Sequence, residues 1–215
     1  MIDFHYDPPI GPLVVLFEDA HIMVLDKPSG LLSVPGKTEG RADCLQTRLR
    51  LAHPESLLVH RLDCDTSGVM IFARSKAAQG FLGQEFEKRR AAKTYVARVQ
   101  GEMLQDRGHV DLPLATDWPN RPRQQVDHAN GRAAQTDWQV LGRAPGETRL
   151  RLTPLTGRSH QLRVHMLALG HPILGDPIYA PISAAHPRLM LHAETLALHH
   201  PATGDWIQFQ SDCPF

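Results

Sequence analysis

The 215-residue sequence has few of the features expected of a membrane protein or a protein from an oxidising compartment. Its apolar runs are only a few residues long, whereas a membrane-spanning helix needs about 20. Its three cysteines, Cys44, Cys64 and Cys213, are an odd number without the close spacing of a zinc site. The first seven residues lack the basic region and apolar core of a signal peptide. We therefore expect free thiols, a reducing cytoplasm and no bound metal.

The chain also lacks net charge, since 23 basic residues balance 23 acidic ones. Taken alone, this balance argues against a nucleic-acid-binding protein. The charges are unevenly distributed, however. Residues 1–26 carry five acidic residues and no Lys or Arg, residues 74–98 carry seven basic residues against two acidic ones, and residues 149–163 carry four Arg and no acid. These segments predict a basic face for phosphates, with solvated helix and strand faces as the alternative.

One string stands out as a candidate for chemistry: His60-Arg61-Leu62-Asp63-Cys64-Asp65-Thr66-Ser67-Gly68. It places the carboxylate of Asp63 beside Arg61 and immediately before a strand-like apolar run over 69–73. A carboxylate beside an arginine at the mouth of a buried strand is typical of a nucleophile or a base. Gly68 would allow another molecule to come close. The alternative is a turn in which Asp63 and Asp65 cap backbone N–H groups.

Other motifs are present only in part. Residues 30–38 approach a phosphate-binding loop, but the spacing of the glycines is one residue too long and Pro35 removes an N–H donor. The string around Asp63 is similar to a kinase catalytic loop, but Leu62 interrupts the required order. His160 and His165 are five residues apart, so they do not share a helix face as metal-binding pairs do.

The periodicity predicts a few helices among many strands. Helices are expected over 41–52, from an N-cap at Ser75 to about Arg89, and from His160 to Leu169 with Ser159 as the cap. Strands are expected at 13–17, 22–26, 57–60, 69–73, 95–99, 110–114, 134–140, 150–155, 189–198 and 207–210. Residues 117–132 are expected to form a long loop or hairpin. The pattern favours an α+β fold around a mostly antiparallel sheet.

Several segments together resemble the RluA family of pseudouridine synthases. In chain order they are Lys27-Pro28-Ser29-Gly30, the string His60–Gly68, Lys93-Thr94-Tyr95-Val96-Ala97, the run Thr156–His165, the run Gly170–Asp176, and Arg188-Leu189-Met190-Leu191-His192-Ala193. They extend from residue 27 to residue 193 and keep the order of the family. The resemblance implies the pseudouridine synthase fold: one catalytic domain over 1–215, with helices and loops flanking a central sheet and without a separate N-terminal RNA-binding (S4-like) domain.

The resemblance also implies roles for individual residues. Asp63 takes the position of the catalytic carboxylate, as nucleophile at C1′ or C6 or as base at C2′. Arg163 takes the position of the cation that keeps this carboxylate ionised, with a phosphate or helix-end contact as the alternative. Tyr95 takes the position of the active-site tyrosine that stacks on the uracil and helps to remove the C5 proton, with a core strand tyrosine as the alternative.

The remaining site residues are assigned to RNA binding. Arg61 would fill the gap left by the flipped base or hold a phosphate, and Lys27 and Arg158 would hold phosphates. Leu191 would line the uracil pocket or belong to the core. No cofactor is implied. The implied partner is structured RNA, in particular stem-loops of 23S ribosomal RNA and tRNA, and nothing in the sequence demands more than a monomer.

Two hypotheses from different classes thus remain: an isomerase that depends on Asp63, and a non-catalytic RNA-binding module that uses a basic face and stacking on Tyr95. Asp63 distinguishes them, because a carboxylate repels phosphates and has no use in a pure binding site.

Overall fold

The computed structural model describes residues 6–38, 40–180 and 186–215. Residues 1–5 lie outside the described residues; they belong to the N-terminal segment for which no signal peptide is predicted. The chain divides into two compact units. We call residues 6–93 and 192–214 the Asp63 unit, and residues 94–191 with Phe215 the Arg163 unit. The expectation of one catalytic domain stays a prediction.

The Asp63 unit combines a sheet with two helices. Its strands are β1 (Val14–Glu18), β2 (Ile22–Lys27), β3 (Leu57–Leu58) and β4 (Ser67–Ala73), together with β11 (Leu191–His199), which begins at the unit boundary, and β12 (Trp206–Gln210). Its helices are α1 (Leu45–Ala52) and α2 (Lys76–Glu87). The strands pair antiparallel except for β4 and β11, which are parallel.

Every residue of β4 is buried, which explains its continuous apolar sequence. The core of the unit packs Ile71 of β4 against Val24, Leu82, Leu198 and their neighbours. Helix α2 begins as predicted, because the hydroxyl of Ser75 accepts a hydrogen bond from the N–H of Ala78.

The Arg163 unit contains the other strands and one helix. The strands are β5 (Ala92–Gln100, whose first two residues belong to the Asp63 unit), β6 (Arg107–Asp111), β7 (Leu114–Thr116), β8 (Gln124–Val126), β9 (Gln135–Ala144) and β10 (Glu147–Pro154). The helix is α3 (Gln161–Ala168). Strands β5, β10, β9 and β6 form an antiparallel sheet in that order, and β7 pairs with β8 as a hairpin around a 3-10 turn, Trp118–Asn120.

The α+β class is confirmed, and three local predictions need correction. The single strand predicted over 110–114 is two strands, β6 and β7, because Pro113 interrupts the ladder between them. Helix α1 begins only at Leu45, where Cys44 caps it. The N-cap position of helix α3 is His160 in the left-handed conformation (φ 53°), and not Ser159, and the His160 side chain makes no capping hydrogen bond. Among the described residues, no helix combines the length and apolarity needed to cross a membrane.

Candidate active site

The loop that carries Asp63 joins β3 to β4 and is fixed through its main chain. Ser33 holds Leu62 from both sides, because its hydroxyl donates to the Leu62 carbonyl (2.7 Å) and accepts from the Leu62 N–H (3.1 Å). The ammonium of Lys27 donates to the carbonyl of Cys64 (2.7 Å). The residues on either side of Asp63 are therefore both anchored, while the Asp63 side chain takes no part in these bonds.

Two further bonds come from the same segment, residues 27–33. The hydroxyl of Ser29 donates to the carbonyl of Asp65 (2.6 Å), and the N–H of Gly30 donates to the carbonyl of Cys64 (3.0 Å). The loop closes on itself where the N–H of Thr66 donates to the carbonyl of Asp63 (3.2 Å). Asp63 is half-buried, so its carboxylate sits on a rigid main chain near the protein surface.

Lys27 does not hold a phosphate, contrary to the prediction. Its side chain is completely buried, and its ammonium donates to the carbonyls of Pro28 (2.8 Å), Leu31 (2.6 Å) and Cys64 (2.7 Å). An ammonium has three hydrogens to donate, and these carbonyls account for all three. Lys27 is therefore a cross-link between the 27–33 segment and the Asp63 loop.

His60, at the start of the string, is a neutral structural residue. Its Nε2 accepts a hydrogen bond from the N–H of Ile71 (3.1 Å), and its ring stacks on Phe86 with centroids 4.6 Å apart. Burial lowers the pKa of His60 to about 3, and the charge of Lys93 adds to this effect. The imidazole therefore joins the Asp63 loop to the core and carries no charge at neutral pH.

Gly68 is required by the chain itself, which corrects the reading that it admits another molecule. It has φ +113°, and a Cβ on it would lie 2.2 Å from the carbonyl oxygen of Ala193.

Next to Gly68, the buried hydroxyl of Ser67 bonds to Nδ1 of His192 (2.8 Å), whose Nε2 lies 3.0 Å from the carbonyl oxygen of Ser211. Because a carbonyl only accepts, Nε2 carries the hydrogen and the Ser67 hydroxyl donates to Nδ1.

Arg163 lies on α3 and is almost completely buried, at 2% exposure. Its Nε and one terminal nitrogen each lie 2.7 Å from an oxygen of Asp176, which is equally buried. This fork geometry fixes the plane of the guanidinium and compensates a buried charge. Sequence reasoning missed Asp176 as a partner, although it closes the family-like run Gly170–Asp176.

The other predicted residues have varied surroundings. Tyr95 is a half-buried residue of β5, opposite Leu152 of β10, and packs against the core of the Arg163 unit. Leu191 is 3% exposed within that same core, as the alternative reading expected. Arg61 is exposed, and Arg158 is half-buried with its Nε donating to the carbonyl of Ala133 (3.1 Å).

The predicted site residues are thus divided between the units. Asp63, Arg61 and Lys27 belong to the Asp63 unit, whereas Tyr95, Arg158, Arg163 and Leu191 belong to the Arg163 unit.

The basic segment 74–98 is less available to phosphates than its composition suggests. Arg74 pairs with Glu18 and Glu55 (2.8 Å each), Arg90 pairs with Glu85 (2.6 Å), and Arg98 pairs with Glu147. Burial lowers the pKa of Lys93. The exposed cations of the segment that have no ion pair among the described contacts are Lys76, Lys88 and Arg89. Much of the predicted basic face is thus internally neutralised.

A metal centre is not evident in the part of the chain that the structure describes, where no group of three or more His, Cys, Asp or Glu side chains is placed to hold an ion.

The class of protein follows from the sequence comparison together with this fold. Residues 21–168 match the family model for RNA pseudouridylate synthases. This stretch contains the Asp63 loop, Tyr95 and Arg163, and it covers more than half of the chain. The protein belongs to that family, and it is an RNA-modifying isomerase.

Individual relatives agree over almost the whole length. The chain is 52% identical over 215 residues to the dual-specificity RNA pseudouridine synthase RluA of Escherichia coli K12, covering 98% of each chain, and 51% identical over 206 residues to the RluA of Yersinia pestis, covering 94% of this chain and 100% of that one. A solved structure, human RNA pseudouridylate synthase domain containing 1, superposes with a TM-score of 0.79 at 30% identity, covering 97% of this chain and 87% of the other.

Proposed function

We propose that the protein converts uridine to pseudouridine in stem-loops of 23S ribosomal RNA and tRNA, with Asp63 as the catalytic carboxylate. The relatives named dual-specificity RNA pseudouridine synthases support the choice of two RNA classes. The observation that carries the role of Asp63 is its loop, whose main chain is anchored on both sides by Lys27 and Ser33. A half-buried carboxylate on a fixed backbone is preorganised for attack or proton transfer.

The reaction breaks the C1′–N1 bond of a uridine, turns the uracil, and forms a C1′–C5 bond, and the proton lost from C5 is balanced by a proton taken up at N1. Atoms and electrons balance without a redox step or a net hydrolysis. The reacting atoms lie within the RNA stack, so the nucleotide must first be flipped out of it. Asp63 then acts on the sugar or the base in its ionised form.

Arg163 and Tyr95 complete the proposed catalytic group. Arg163 supplies a positive charge to the reaction, and its pairing with Asp176 keeps the guanidinium in one orientation. Tyr95 stacks on the flipped uracil, and its hydroxyl takes part in removal of the C5 proton.

Two arginines are assigned to RNA binding outside the chemistry. Arg61 is exposed beside the Asp63 loop and fills the space of the flipped base, and Arg158 holds a phosphate. We also propose that the protein is a monomer and acts in the cytoplasm.

Tritium release tests the proposal. Purified protein is mixed with a tRNA stem-loop, or a stem-loop from 23S ribosomal RNA, that carries tritium at C5 of its uridines. We expect release from both RNAs without added metal or nucleotide. Release that is abolished by EDTA and restored by zinc would contradict the mechanism. Tight binding with no release from either RNA would favour a non-catalytic RNA-binding module.

A further inference from the structure

Tyr179 connects three parts of the Arg163 unit. It is 6% exposed, and its hydroxyl oxygen lies 2.7 Å from the N–H of Gln124 on β8 and 2.7 Å from Nδ1 of His160. Two guanidiniums, those of Arg123 and Arg163, lie over its ring, each 5.1 Å from the centroid. One side chain thus contacts the β7–β8 hairpin, the start of α3 and the arginine assigned to catalysis.

The segment around Tyr179 also binds the partner of Arg163. Oδ1 of Asp176 accepts hydrogen bonds from the N–H groups of Ile178 (2.9 Å) and Tyr179 (3.1 Å) as well as from Arg163. Arg123 donates to the carbonyl of Ile178 (2.7 Å). A displacement of this segment would therefore move the carboxylate that orients Arg163.

The hairpin at the other end of this network has an exposed tip. Trp118 is 69% exposed, and the guanidinium of Arg121 lies 4.8 Å from the centroid of its ring. An exposed aromatic ring next to a cation suits an RNA base and its phosphate. The N–H of Gln124, the first residue of β8 after the 3-10 turn, donates to the hydroxyl of Tyr179.

His160 adds a strained element at the same point. It adopts φ 53° without being a glycine, and its ring meets that of Tyr179 edge-on with centroids 5.6 Å apart. A left-handed non-glycine residue persists where its surroundings hold it in place. Tyr179 is one of those surroundings, so the first turn of α3, and Arg163 with it, depends on this tyrosine.

We propose that Tyr179 is a positioning residue that couples the hairpin to Arg163. RNA that binds at Trp118 fixes the position of the hairpin. The hydroxyl of Tyr179, bonded to Gln124, then holds His160 in place. The Tyr179 ring and Asp176 keep the Arg163 guanidinium in the orientation needed for the reaction. The inference rests on the proposed function in one respect, the assignment of Arg163 to the catalytic group.

A double-mutant cycle in single-turnover rate tests the coupling. Tyr179 meets the hairpin at Gln124 and Arg123, whereas Trp118 lies in the 3-10 turn, so a purely structural tyrosine predicts that Trp118→Ala and Tyr179→Phe slow the reaction independently. We expect instead that Trp118→Ala slows the wild-type chain by about threefold more than it slows the Tyr179→Phe chain. Val126→Ala, which trims the same apolar cluster but retains the hydroxyl of Tyr179, is the matched control and should be additive with Trp118→Ala. Additive effects in the Tyr179 cycle would overturn the proposal.

Hydrogen exchange provides a readout that does not need turnover. Binding of the tRNA stem-loop to the wild-type chain should slow amide exchange in both the hairpin 114–126 and the helix 161–168. In Tyr179→Phe the slowing should be confined to the hairpin. Equal protection of the helix in the two chains would refute the coupling even if no RNA were modified, whereas absence of tritium release from the wild type would refute the proposed function alone.

Discussion

The loop that carries Asp63 and the helix that carries Arg163 are held in place in different ways. In the loop, the backbone of residues 62, 64 and 65 is bonded by Lys27, Ser29, Gly30 and Ser33. On the helix, the functional group itself is bound, because the Arg163 guanidinium pairs with the buried Asp176.

The difference determines which residue can be used to test function. Replacing Asp63 leaves its loop anchored, so chemistry can be separated from folding. Replacing Arg163 would leave the Asp176 carboxylate buried without its cation, which costs about 3 to 5 kcal/mol of stability. A loss of activity in an Arg163 variant therefore reports on folding and catalysis together.

Asp63→Asn is expected to give the largest effect. The amide keeps the size of the side chain but cannot act as nucleophile or base, so tritium release should disappear while the melting temperature and RNA affinity are retained. Asp65→Asn is the matched control, because Asp65 contributes its carbonyl to the loop, and this variant should stay active. Turnover by the Asp63→Asn chain, with its mass verified, would refute the assignment.

Tyr95→Phe should slow the reaction by about a hundredfold if the hydroxyl takes part in proton removal. The ring remains, so RNA affinity in a filter-binding assay should be unchanged. Near-normal rates would mean that Tyr95 only stacks on the uracil and that another group removes the C5 proton.

Lys27→Met tests the anchoring of the Asp63 loop. It removes the three hydrogen bonds of the ammonium, while the Cys64 carbonyl keeps the bond from the N–H of Gly30, and this loss should lower the free energy of unfolding by about 3 kcal/mol in urea. The same replacement at Lys76, exposed on α2, should change it by less than about 0.5 kcal/mol. Equal stability of the two variants would mean that the cross-link contributes nothing.

His60 predicts a pH dependence of stability. Its pKa is about 3 in the folded chain, whereas the ordinary histidine value of 6.5 applies to the unfolded chain. The unfolded chain therefore binds the additional proton, and stability falls as the pH drops from about 6.5 to 3. At pH 5, His60→Gln should make the slope of unfolding free energy against pH shallower by about 1.4 kcal/mol per pH unit. Identical slopes would contradict the buried neutral state of His60.

Arg158→Ala should give the smallest effect. If the guanidinium meets a phosphate, the log–log slope of the RNA binding constant against salt should become shallower by about one unit. Arg149 is the matched control, since it is exposed on β10 and is assigned no phosphate. A slope that changes equally in both variants would place Arg158 among the general surface charges.

The sequence predicted local features better than long-range ones. The Ser75 cap and the buried strand after Asp63 follow from neighbouring residues, and both are confirmed. The pairing of Arg163 with Asp176 joins residues 13 positions apart through a turn, and no periodicity indicates it. Lys27 was misread because a lysine is normally exposed, whereas here, at the end of β2, carbonyls from two segments surround its buried ammonium.

The charge argument failed for the same reason. Composition counts Arg74, Arg90 and Arg98 as cations available to RNA, but Glu18 and Glu147 pair with Arg74 and Arg98 from distant positions. Arg90 pairs with Glu85, which lies in the same segment. The segment 117–132 was predicted as a long loop or hairpin, and the pairing of β7 with β8 bears out the hairpin. The bounds of β8 and the 3-10 turn were not predicted, because short elements carry little periodic signal.

The most direct test of the central claim is a map of pseudouridine in cellular RNA, obtained by chemical labelling and primer extension with and without this gene. Removing the gene should erase pseudouridine at defined uridines in both tRNA and 23S ribosomal RNA. The wild-type chain should restore every one of them, and the Asp63→Asn chain should restore none. A pattern that is unchanged when the gene is removed, or that the Asp63→Asn chain restores, would contradict an isomerase that depends on Asp63.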